Sequence, residues 1–140
     1  MASAEKYLVN LKKSSKWIIY SLIAEFVLGM LVNLFALTPD DPGYAAESIF
    51  IKLFFPLHGI VGLILVVLSI AIFYFAVNLG KESIKKFAMY GLISVLVAAG
   101  AGLATIILKD NASEIGSFVM SVGFIAALVS YGKLFLLLRE

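Results

Sequence analysis

His58 is the single histidine of this 140-residue chain and lies in the run FFPLHGIVG at residues 54–62. Glu25 is the one acid set inside a long apolar run, WIIYSLIAEFVLGMLVNLF. An imidazole can carry a proton, hold a quinone by a hydrogen bond or ligate haem iron. A carboxylate deep in an apolar segment requires a cation, a proton or hydrogen-bond donors, because an isolated charge there costs at least roughly a few kcal/mol. Trp17, Ser21, Glu25, Gly29 and Asn33 recur every four residues, which places them on one slowly drifting stripe of a helix. That stripe is expected to face protein, with Ser21 and Asn33 flanking Glu25 as proton-relay or ion-coupling partners.

Other chemistries find little support. With no cysteine, thiolate metal sites, iron–sulfur clusters and disulfides are excluded. A catalytic zinc takes about three protein ligands, and no spacing here supplies them. The glycines of AAGAG (residues 98–102) fall within an apolar run, unlike those of a phosphate-binding loop between strand and helix. No catalytic residue and no metal site is assigned.

The elements that must position His58 and Glu25 follow from composition. The chain is 62% hydrophobic and 14% charged, with a mean hydropathy of +1.05, far from the balance of soluble domains. Four apolar stretches, about residues 17–37, 50–77, 87–108 and 115–138, can each cross a hydrocarbon core of about 30 Å. The expected fold is an all-α integral membrane protein, a single four-helix transmembrane domain over residues 1–140 with the first 16 residues as a tail. The first apolar run exceeds the roughly 7–15 residues of a signal-peptide core and reads as a retained helix.

Lys6, Lys12, Lys13, Lys16, Lys81, Lys85, Lys86, Lys133 and Arg139 fall on one side of these helices. Lys52 and Lys109 fall on the other, with Asp40, Asp41, Glu47, Asp110 and Glu114. By the positive-inside rule both termini are cytoplasmic, in a multi-pass protein of the cell membrane. The lysines read as anchors against anionic head groups. No basic aromatic patch supports nucleic-acid binding. The outer loop TPDDPGYAAES carries turn residues, and Asn111 formally opens a glycosylation sequon.

On the third helix Gly91, Ser94, Ala98, Gly102 and Thr105 line one face, a small-residue pattern that lets helices pack closely in a bilayer. It is read as the surface complementary to the Glu25 stripe, with Ser94 or Thr105 as a hydroxyl partner for Glu25. Gly123, Ala127 and Ser130 repeat the theme on the fourth helix.

The depth of His58 depends on where the second helix begins. A start at Pro56 suits proline's preference for the first turn, gives a span of about 33 Å, and leaves His58 at the outer interface. A helix continuous from Phe50 buries His58 by about 12 Å, near the level of Glu25, and alone permits a direct pair. The start at Pro56 is the expectation, because an interior proline removes a backbone bond and strains the preceding turn.

Gly62 follows His58 by one helical turn and leaves a place without a side chain beside the imidazole. The run LHGIVGLILVVLS (residues 57–69) accordingly resembles the histidine-led helices of four-helix b-type cytochromes. That resemblance implies haem b held by His58 beside Gly62. The second ligand would come from a methionine such as Met30 or Met120 or from His58 of a second subunit, or the position would stay open. On this reading the chain is a small membrane subunit of a redox or respiratory-type complex, binding haem b or bordering a quinone through His58, with Glu25 as relay acid. A small oligomeric proton-coupled transporter or channel using Glu25, and a structural or assembly protein, are the alternatives. The partners expected are the lipid bilayer and either further copies of the chain or other membrane subunits.

Overall fold

The structure, a computed structural model, describes residues 2–35, 49–108 and 112–139. Within these helices the side chain of Asn33 is outside the described set, as are the outer loop and the sequon at Asn111. The described residues form α1 (Ala2–Phe35), α2 (Ile49–Leu79), α3 (Glu82–Leu108) and α4 (Ala112–Leu137). All four are long and apolar enough to cross a membrane, and most large apolar side chains point outward, among them Ile60, Leu63, Val67, Leu103 and Ile125. An apolar exterior of this kind matches lipid.

Helix order around the bundle is cyclic. α1 packs on α2 and α4, and α3 packs on α2 and, most extensively, on α4. Only Gly80 and Lys81 separate α2 from α3, and Gly80 adopts φ +74°, the left-handed conformation that ends helices at glycine. Its N–H donates to the Val77 carbonyl at 3.2 Å.

The core lies in the half of the bundle that carries the termini. Leu11, Ile18, Leu22, Leu65, Ile72 and Leu134 are buried there. Two buried serines satisfy themselves within their own helices, Ser15 donating to the Lys12 carbonyl at 2.9 Å and Ser69 to the Leu65 carbonyl at 2.5 Å.

Two boundaries differ from the sequence reading. The first 16 residues are not a tail, because α1 begins at Ala2. Leu11 and Ser15 lie one turn apart on a fully buried stripe, and Tyr7 meets the rings of Tyr74 and Phe75 at 6.2 and 6.4 Å, so tertiary packing carries the helix through a lysine-rich stretch. Nor does α2 start at Pro56: it begins at Ile49 and runs through the proline. Pro56 donates nothing to the carbonyl four residues earlier, a loss bilayer helices tolerate where neighbouring groups compensate.

Candidate functional site at the α1–α2 contact

Continuity of α2 through Pro56 brings His58 to the level of Glu25. Glu25 is about 15 Å along α1 from Phe35, and His58 about 14 Å along α2 from Ile49. Glu25 Oε1 and His58 Nδ1 are 3.1 Å apart, with 13% and 22% of the respective side chains exposed. This is ion-pair distance. Glu25 Oε2 and His58 Nδ1 are buried atoms, and neither completes a hydrogen bond of good geometry among the described residues.

Two glycines make room for the pair. A Cβ at Gly62 would stand 3.1 Å from Glu25 Oε1, and a Cβ at Gly29 would stand 3.4 Å from His58 Cε1. Each polar side chain therefore lies over a glycine of the opposite helix, and each glycine is one turn beyond the other polar residue of its own helix. In antiparallel helices this exchange is geometrically self-consistent, since Glu25–Gly29 and His58–Gly62 have equal spacing. The place beside Gly62 thus holds the Glu25 carboxylate.

The remaining residues of the stripe diverge. Each four-residue step advances about 40° around a helix, so Trp17, at two steps from Glu25, has turned away and is 57% exposed. Ser21 is partly exposed one turn from Glu25 on the side of the termini. Asn33 lies outside the described side chains.

The small face of α3 meets α4 rather than the Glu25 stripe. Gly91 lies under the Tyr131 ring, and a Cβ at Gly123 would meet the Ser94 carbonyl oxygen at 3.0 Å and the Ala98 Cβ at 3.1 Å. A Cβ at Gly102 would stand 3.3 Å from Met120 Sδ, and Thr105 closes on Gly116. The hydroxyls expected to pair with Glu25 are used locally instead: Ser94 donates to the Tyr90 carbonyl at 2.8 Å and Thr105 to the Ala101 carbonyl at 2.9 Å. A short serine or threonine side chain on a helix reaches its own preceding turn more easily than another helix.

Met120 therefore sits at the α3–α4 contact, while Met30 is 48% exposed on α1. Among the described residues no group of three or more histidine, cysteine or acidic side chains converges to hold a metal ion. The Glu25 carboxylate lies over the place beside Gly62. The sequence reading missed Gly29 as the counterpart of Gly62. The signal was present in the repeated spacing, polar residue then glycine four positions on, in both helices. Comparison with known protein families, curated proteins and solved structures finds no match.

Proposed function

We propose that this protein is a small membrane subunit of redox type in which the Glu25–His58 pair borders a quinone and exchanges protons with it. The contact between Glu25 Oε1 and His58 Nδ1 carries the reading. With Nδ1 turned to the carboxylate, Nε2 is the ring nitrogen left to meet a quinone carbonyl. Reduction of a quinone to a quinol takes two electrons and two protons. A redox partner subunit supplies the two electrons and water the two protons: His58 passes a proton to the quinone, and Glu25 takes up each proton from water and returns it to the imidazole. A carboxylate beside an imidazole is an arrangement that general acid–base chemistry uses.

A lipid-borne substrate suits the location. The partly exposed side of His58 lies on helices whose outer surface is apolar, so access is lateral. Toward the termini Leu22, Leu65, Ile18 and Ile72 are buried between the pair and the basic end of the bundle, a dry barrier to ion flow through a single copy. This favours a bordering role over a channel.

The test is photolabelling of the detergent-purified protein with an azido-benzoquinone, followed by peptide mapping. Label is expected within α1 and α2 around His58, displaced by excess unlabelled quinone and lost in His58→Ala. Labelling unchanged in His58→Ala would sink the reading, and a Soret band lost in the same variant would assign haem b instead.

A further inference from the structure

We propose that the groove between α1 and the end of α4 binds the phosphate headgroup of an anionic phospholipid. The groove, of about 440 Å³, is lined by Lys12, Lys13, Lys16 and Arg139 with Ser15, Phe135 and Leu138. Among the described residues four cations and no acid line it, so their mutual repulsion is relieved by an anion. Lys12 and Lys16 are one turn apart on α1 and project from the same face. The Arg139 guanidinium lies 5.3 Å from the centre of the Phe135 ring, which holds a planar fork suited to two phosphate oxygens. Ser15 is fully buried and its hydroxyl is committed to the Lys12 carbonyl, so it forms the floor and leaves recognition to the cations.

A lipid, and not a free anion, fits for two reasons. Phe135, half-buried, gives the groove an apolar wall with Leu138 buried behind it, against which the start of an acyl chain can lie. Trp17 and Tyr20 are exposed beside Lys16, 57% and 61% respectively, with their rings 6.3 Å apart. Exposed aromatic residues of this kind mark the headgroup level of a bilayer, and they put the groove there. The groove is far from the Glu25–His58 pair and does not depend on its role.

The test is native mass spectrometry of the full chain released from nanodiscs of mixed phosphatidylglycerol and phosphatidylcholine. Retained phosphatidylglycerol is expected on the wild type, reduced about tenfold in Lys12→Gln/Arg139→Gln, the scale of losing charge-assisted contacts. Lys81→Gln/Lys86→Gln removes the same charge from the α2–α3 end and is expected to retain the lipid. Lys12→Arg keeps the charge and is expected to bind as the wild type does. Equal loss in both double variants would overturn the site in favour of diffuse attraction, as would no loss in either. Displacement of the lipid by inorganic phosphate alone would overturn the lipid as occupant.

Discussion

Glu25 and His58 approach to 3.1 Å because each lies over a glycine of the other's helix. The two glycines are not equivalent. At Gly62 a Cβ would stand 3.1 Å from the carboxylate, closer than ordinary contact, whereas at Gly29 it would stand 3.4 Å from the imidazole. Gly62→Ala must push Glu25 aside and Gly29→Ala need not.

Thermal unfolding in detergent is therefore expected to separate the two alanine variants. Gly29→Ala should be neutral or gain up to about 1 kcal/mol from helix propensity. Gly62→Ala should lose about 1 kcal/mol or more as overpacking outweighs the same gain. Equal behaviour of the two would contradict the close approach of Glu25 to α2.

Removing one member of the pair leaves the other without its counterpart. A fully buried pair broken on one side costs about 3–5 kcal/mol, and the partial exposure of both side chains lowers that figure here. Glu25→Gln, His58→Ala and the double variant are expected to give a coupling free energy of about 1–2 kcal/mol. Additive unfolding free energies would show that the two side chains do not interact.

Much of this architecture was legible in the sequence, and the reasons are physical. Four apolar runs of spanning length dictate four helices, since only helices satisfy the backbone within one segment of a bilayer. The start of α1 was not legible, because Leu11 and Ser15 are buried by tertiary packing while the lysines between and around them suggest solvent. The partner of the α3 small-residue face was not legible either. Small faces are generic, and only the docking of Gly91 on Tyr131 and Gly123 on Ala98 identifies α4. His58 and Glu25 could be placed at one level only by deciding whether α2 crosses Pro56, and local preference pointed the other way.

The α3–α4 contact gives a second pair of glycine variants with opposite expectations. At Gly91 an alanine Cβ would run into the Tyr131 ring, while at Gly100 it would meet nothing within 4 Å. Tyr131 is fully buried, so its ring has little room to yield. Gly91→Ala is expected to cost about 1–3 kcal/mol, and Gly100→Ala to be neutral or stabilising by up to about 1 kcal/mol. Equilibrium unfolding of both variants checks this, and a Gly91→Ala protein as stable as the wild type would mean that Tyr131 packs elsewhere.

Pro56 decides whether the α1–α2 site exists as described, because the pair forms only if α2 is helical on both sides of it. A proline in the first turn is preorganised for its place, and alanine there gains no bond. A proline seven residues inside a helix supplies no N–H donor to the turn before it, a defect of up to about 3 kcal/mol in a helix interior. Pro56→Ala restores that donor. With α2 beginning at Ile49, the variant is expected to unfold at higher temperature and to show slower amide exchange at residue 56 and its neighbours, with the quinone label at His58 retained. A lower unfolding temperature with no protection before residue 56 would place the helix start at the proline and return His58 to the outer interface, out of reach of Glu25.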